Sequence, residues 1–211
     1  MSDRPSALYY ITRIGVKIFV ACLGGVEIIG KENIPATGPV ILAPNHRAHV
    51  DPPYLTLCTK RQQFYMSKEE LFKNPLFGRI IRGLGAFPVK RGSADRAALR
   101  FAMDHLKRGN ILTIFPEGTR SPDGALGEAE NGFALLAKQT GAAIVPIAVE
   151  GTERVLPYGG SKLRRARVRL TIGKPFTAED VLAEAGKGKE GLEAIGKKVM
   201  AEIGKLMRIA G

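Results

Sequence analysis

The 211-residue sequence predicts an α/β fold: a mostly parallel central sheet flanked by helices, with an N-terminal amphipathic helical segment. Three observations carry this. Short apolar runs bounded by turn residues alternate with stretches of helical periodicity along most of the chain. The composition, 45% hydrophobic and 25% charged, is that of a globular chain with enough residues for one good core. The polar stretches NHRAHVD, KRG, FPEGTRS and EGT all follow apolar runs, where a parallel sheet places its ligand crevice.

Taken in order, the first element is LYYITRIGVKIFVACL. Arg13 and Lys17 stand four apart on one helical face, among Leu8, Ile11, Ile14, Val16, Ile18, Phe19 and Val20. Residues 1–25 therefore read as an interfacial helix with its cations toward lipid headgroups, or as a helix packed on the domain's own core. Periodicity leaves both open. The same charges exclude a cleavable signal peptide, and the longest uncharged run, 18–26, is about half of the roughly 20 residues a spanning helix needs.

Residues 26–211 read as the α/β domain. GPVILAPN (38–45) is a short apolar strand, and DPPYLTLCTK (51–60) a helix with an Asp cap and Pro52 in its first turn. QFYMS (63–67) and LGAFPVKRG (84–92) follow as strands, Pro88 marking an edge or bend. A helix over 94–108 has Ser93 as cap, Asp95 in its first turn, Lys107 and Arg108 in its last, and Gly109 as its stop. Then come strand NILTIFPEG, helix NGFALLAKQTG, strands AAIVPIAVEG and RVRLTIGKPF, and a docked C-terminal helix over 192–208. LFKNPLFGRIIRGLG (71–85) mixes apolar residues with cations and is a second candidate membrane contact.

The charge balance, 32 Lys+Arg against 20 Asp+Glu, gives +12 and favours anionic partners. With no tryptophan and 7% aromatics, stacking platforms for single-stranded nucleic acid are scarce. KLRRARVR (162–169) reads as a solvated face or as a dock for headgroups, CoA phosphates or an acidic carrier protein. Cys22 and Cys58 form no CxxC and no metal-ligand cluster, which fits a reducing compartment.

Two of the three histidines lie in NHRAHVD, five and two residues before Asp51. A carboxylate has two oxygens: one can cap a helix while the other accepts Nδ1–H of an imidazole and leaves Nε2 free as a base. Spacing alone does not choose between His46 and His49. His105, inside a helix with charged neighbours, is expected at the surface. In FPEGTRS, Gly118 permits close backbone approach, Glu117 and Arg120 bring opposite charges, and the planar fork of Arg120 suits a phosphate.

NHRAHVD and FPEGTRS together resemble the PlsC-type glycerolipid acyltransferases, the group containing 1-acylglycerol-3-phosphate acyltransferase. The family's signature is NHxxxxD followed by an FPEGTRS-like block, which this chain matches at all seven positions. GAFPVKR (85–91) and IVPIAVEGT (144–152) are similar to two further blocks, so the likeness covers about residues 26–175 in the right order. The resemblance implies an acyl transfer from acyl-CoA or acyl carrier protein to lysophosphatidic acid, giving phosphatidic acid. It implies His46 and Asp51 as catalytic residues, and Lys90, Arg91, Glu117, Gly118, Thr119 and Arg120 as substrate-binding ones. Glu117 would meet a glycerol hydroxyl or hold a cation in position. Lys90 departs from the family pattern, where many members carry an acidic residue. The same machinery could act on glycerol 3-phosphate or another lysophospholipid or lipid acceptor. No metal and no cofactor beyond the donor are expected, and the place of action is the cytoplasmic side of a phospholipid membrane. A basic binding module without catalysis, for membrane or nucleic acid, would leave both motifs unexplained.

Overall fold

The computed structural model describes residues 6–89, 96–121, 124–186 and 188–209. Seven strands form one sheet: β1 (Val26–Ile29), β2 (Val40–Pro44), β3 (Gln63–Lys68), β4 (Ala86–Val89), β5 (Ile111–Thr113), β6 (Ala143–Glu150) and β7 (Val168–Ile172). Their order across the sheet is β1-β7-β6-β2-β5-β3-β4. Five neighbours, β6-β2-β5-β3-β4, run parallel; β7 pairs antiparallel with β6, and β1 runs parallel to β7. Hence the carboxyl ends of β2, β4, β5 and β6 share one edge, and the polar stretches that follow β2, β5 and β6 leave the sheet on the same side.

Alternation along β2 divides the core in two. Val40 and Leu42 face a layer containing Val16 and Val20 of α1 (Ala7–Cys22) and Tyr54 and Leu55 of α2 (Asp51–Leu55). Ile41 and Ala43 face the other layer, with α4 (Arg96–Lys107), α5 (Asn131–Thr140), α7 (Ala178–Ala185) and α8 (Lys189–Ile209) supplying Leu106, Leu136, Val181 and Ile203. The remaining helices, α3 (Pro75–Gly83) and α6 (Thr152–Val155), lie at the carboxyl side of β3 and β6.

The N-terminal helix packs on the domain with one face and leaves an apolar stripe outward on the other. Ser6 caps α1 by accepting the Tyr9 N–H, and Tyr9, Val16 and Val20 are buried on the domain. The opposite side leaves Ile11, Ile14 and Ile18 exposed at 66, 61 and 61%. No helix among the described residues is long and apolar enough to cross a membrane.

Four differences from the sequence reading have local causes. The helix expected over 51–60 is a single five-residue turn, after which Arg61 donates to the carbonyls of Pro35, Gly38 and Gly109 and pins the chain. β1 went unread because VEII alternates over only four residues. α3 and α7 went unread as helices, although Asn74 caps the first and a reciprocal Thr177–Asp180 capping box starts the second. His105, expected at the surface, is buried between the rings of Phe64 and Phe101, at 3.9 and 4.3 Å. Its helix is amphipathic, and the charged neighbours in sequence are not its neighbours in space. The proposed Ser93 cap and Asp95 lie outside the described residues. The cysteines differ: Cys22 is exposed, while burial pushes the Cys58 thiol up to about 12.

Candidate active site

At the end of β2, Asn45 extends the ladder with its side chain. Its amide donates to the Val149 carbonyl (3.1 Å) and its Oδ1 accepts the Val149 N–H (2.7 Å), one step beyond the Pro44–Ile147 register. This two-bond tie fixes where the next residue, His46, leaves the sheet.

Asp51 is fully buried at the start of α2. Its Oδ2 accepts three hydrogen bonds: from His46 Nδ1 (2.7 Å), Arg47 N (2.8 Å) and Ala48 N (3.0 Å). Oδ1 is buried with no hydrogen-bond partner among the described residues, and the helix cap expected of Asp51 is not made: Asp51 is the first residue of α2, and its Oδ2 ties the preceding loop and the imidazole instead. Because a carboxylate only accepts, Nδ1 carries the proton and Nε2 is the nitrogen left for proton transfer.

The FPEGTRS turn, which leaves β5, holds His46 from three sides. Phe115 stacks on the imidazole at 3.8 Å and 19°. Glu117 Oε1 accepts the His46 N–H (2.9 Å), and the Ser121 N–H donates to the His46 carbonyl (3.1 Å). Glu117 is itself buried, and its Oε2 accepts the Gly127 N–H (3.0 Å). Both oxygens of the residue assigned from sequence to a glycerol hydroxyl are thus engaged with backbone. Gly118 has φ +65°, and a Cβ there would run into the Glu130 carboxylate. Its freedom serves the turn as much as any ligand.

Arg120 is half-buried with its guanidinium 4.6 Å from the ring centroid of Tyr158, in the loop after α6. Thr119 and His49 are exposed on the same side. Burial and then the charges of Arg120, His46 and Lys68 hold the His49 pKa below its ordinary value, against a smaller pull from Asp51. The structure therefore brings His46, Asp51, Glu117, Gly118, Thr119 and Arg120 together, while Lys90 and Arg91 lie outside the described residues. Asn45 and Phe115 belong to the motifs but were given no part from sequence. Tyr158 carries no sequence signal, because only the antiparallel return to β7 places it over Arg120.

Two cavities flank the NHRAHVD loop. One, of about 270 Å³, is lined by His46, Phe115, Met66, Leu99 and Phe133. The other, of about 570 Å³, lies beneath α1 and α3 with His49 in its wall. Among the described residues, no three His, Cys, Asp or Glu side chains are grouped where they could hold a metal ion.

A buried carboxylate on Nδ1 of a histidine, set at the sheet edge beside a phosphate-suited arginine, is an arrangement for activating a hydroxyl. Comparison with known proteins agrees. Residues 25–150 match the family model described as Acyltransferase. The chain belongs to the acyltransferase family. The 1-acyl-sn-glycerol-3-phosphate acyltransferase of Bacillus subtilis is 31% identical over 177 residues, 82% of this chain and 84% of that protein. The chloroplastic enzyme of the same name from Arabidopsis thaliana is 32% identical over 188 residues, 86% of this chain. The chain spans about half the length of this and another plant relative, 52 and 54%. The crystal structure of the 1-acyl-sn-glycerophosphate acyltransferase from Thermotoga maritima superimposes with a TM-score of 0.79 at 27% identity, covering 100% of this acyltransferase chain and 84% of that one.

Proposed function

We propose that the protein is a 1-acylglycerol-3-phosphate O-acyltransferase that makes phosphatidic acid from lysophosphatidic acid and an acyl thioester of CoA or acyl carrier protein. The observation that carries this is the His46–Asp51 pair at 2.7 Å, clamped by the FPEGTRS turn. Relatives bearing that activity in their names support the choice of acceptor.

An alcohol is a poor nucleophile at neutral pH and needs a base as it attacks. His46 Nε2 takes the hydroxyl proton while the acceptor oxygen bonds to the thioester carbonyl carbon. The tetrahedral intermediate collapses with loss of the C–S bond, and the same proton passes to the leaving thiolate. Asp51 keeps the ring in the working tautomer and stabilises the imidazolium. General base action of this kind contributes about 10²- to 10⁴-fold. Arg120, with Lys90 and Arg91, binds the acceptor phosphate. The enzyme works at the cytoplasmic face of a phospholipid membrane, held there by the exposed side of α1.

The test is direct: purified protein, liposomes, a panel of acyl thioesters and several lyso-acceptors, with products identified by mass spectrometry. Phosphatidic acid should form, and His46→Ala should lower the rate at least about 10²-fold while His49→Ala retains substantial turnover. Near-normal turnover by His46→Ala would discard the mechanism.

A further inference from the structure

Arg120 has a neighbour that the acyl transfer described above does not use. Its guanidinium carbon lies over the Tyr158 ring, 4.6 Å from the centroid. Among the described residues Arg120 forms no ion pair. Glu117, the carboxylate of its own turn, is taken up by the N–H groups of His46 and Gly127. The kind of partner matters chemically. A carboxylate would occupy the in-plane N–H donors of the guanidinium, the same donors that bind two phosphate oxygens at once. An aromatic ring attracts the cation through its face and leaves those donors open. A side chain held by its face and free at its edge is oriented before a ligand arrives, so less rotamer freedom is lost on binding.

Tyr158 is presented by a fixed turn. Residues 157–160 close a β-turn in which the Gly160 N–H donates to the Pro157 carbonyl (2.9 Å). Gly159, third of the four, has φ +72°, the sign that a type II turn requires there, and Tyr158 takes the corner before it. The turn is anchored on both sides. The Leu156 N–H donates to the Thr152 carbonyl of α6, and the Arg164 N–H to the Val155 carbonyl, both at 2.9 Å.

The tyrosine itself is 52% exposed. Among the described residues its ring has no aromatic partner, and its hydroxyl makes no hydrogen bond. Neither core packing nor a polar tie explains such a residue. The face it offers to Arg120 does.

We propose that Tyr158 is a positioning residue: its ring holds the Arg120 guanidinium face-on, so that the free edge of the fork meets the phosphate of the acceptor. The proposal rests on the acceptor assignment made above, and the experiment separates the two. Tyr158→Phe keeps the aromatic face, Tyr158→Leu keeps apolar bulk without it, and each is also made in an Arg120→Ala background. KM and kcat are measured with a short-chain lysophosphatidic acid and with the matching phosphate-free monoacylglycerol, and the donor KM alongside. Binding of inorganic phosphate is followed in parallel through the NMR resonance of the Arg120 Nε–H. We expect Tyr158→Leu to raise the KM for lysophosphatidic acid about three- to tenfold, with kcat, the donor KM and the phosphate-free acceptor within about twofold of the parent. Tyr158→Phe should stay within about twofold of the parent throughout. In the Arg120→Ala background Tyr158→Leu should have no further effect, because both changes remove one interaction. A damaged fold would instead lower turnover on both acceptors. Equal losses in the Phe and Leu variants, equal losses on the two acceptors, additive losses in the double variant, or no loss with Leu would overturn the proposal. If the parent enzyme transfers no acyl group to lysophosphatidic acid, the acceptor assignment fails. The phosphate titration then decides the role of Tyr158: binding weakened by Leu and restored by Phe upholds it, and equal binding in parent and variants refutes it.

Discussion

His46 is held by bonds that do not involve its ring as much as by the one that does. Its N–H goes to Glu117, its carbonyl to Ser121, and its imidazole lies flat on Phe115. The second motif is therefore part of the positioning of His46, the base proposed above. Glu117→Ala leaves the N–H groups of His46 and Gly127 without their acceptor, and each unpaired buried donor costs about 1–3 kcal/mol. We expect a fall in kcat with acceptor KM little changed, and a melting temperature lower by roughly 4–24 °C, at about 2–4 °C per kcal/mol for a chain of this size. A rise in acceptor KM with kcat intact would restore Glu117 to the substrate. His49 offers a second reading at this scale. Its folded pKa lies below the ordinary value, so the unfolded chain binds its proton more readily. Stability from this group is then complete above the free-histidine range, about 6.5, and falls as pH drops below it. Ring-proton NMR should show His49 titrating below that range in the free protein. Titration at or above it would mean that burial and the neighbouring Arg120, His46 and Lys68 do not disfavour the charged ring. From sequence, spacing left His46 and His49 open and the family resemblance chose His46, whose Nδ1 is the one on Asp51 in the structure. The occupation of Glu117 could not be read from sequence, since its partners are backbone groups of His46 and Gly127, the first of them 71 residues away.

At the scale of elements, α1 shows why periodicity gave two readings of one segment. A helix has room for two apolar stripes, and this one uses both: Tyr9, Val16 and Val20 inward, Ile11, Ile14 and Ile18 outward. Deleting the helix would remove core contacts along with any membrane contact, so substitution of the outer stripe is the cleaner experiment. Ile11→Ser, Ile14→Ser and Ile18→Ser together should leave thermal unfolding within about 0.5 kcal/mol per site, as for surface changes away from special features. Flotation with liposomes should drop sharply, since each fully buried isoleucine is worth about 1.5–3 kcal/mol. A stable triple variant that floats like the parent would move the membrane contact to the Leu71–Ile80 segment alone. The elements read correctly were those with long apolar runs or a sustained helical stripe, and the caps of α3 and α7 were not enough to make those shorter helices legible. The ones missed were short, and α2 stops after five residues, with Arg61 tied further on to the carbonyls of Pro35, Gly38 and Gly109.

For the whole molecule, the topology decides what the charge of +12 can do. The alternation of strands and helices made a mostly parallel sheet legible, but not the order β1-β7-β6-β2-β5-β3-β4, because partners such as β2 and β6 are separated by a hundred residues. That order sets the polar exits of β2, β5 and β6 on one side and returns the basic stretch 162–169 to the same edge, where the Ala166 N–H donates to the carbonyl of Leu23 at the end of α1. Lys162, Arg164, Arg165 and Arg167 are exposed there, so the outer stripe of α1 and a cationic loop adjoin each other beside the site. Attachment to an anionic bilayer should then have two separable parts. Each cation near the surface contributes about 1 kcal/mol, and this part vanishes as the screening length shrinks from about 10 Å at 0.1 M salt to about 3 Å at 1 M. The apolar part does not depend on screening. Replacing the four loop cations with glutamine should abolish the preference for anionic over neutral vesicles and flatten the salt dependence, while residual binding to neutral vesicles persists. The triple isoleucine variant should do the reverse, retaining binding to anionic vesicles at low salt and losing it as salt rises. If loop and helix variants showed the same salt profile, the two surfaces would not share one bilayer, and the loop would be free to receive the acidic acyl donor instead.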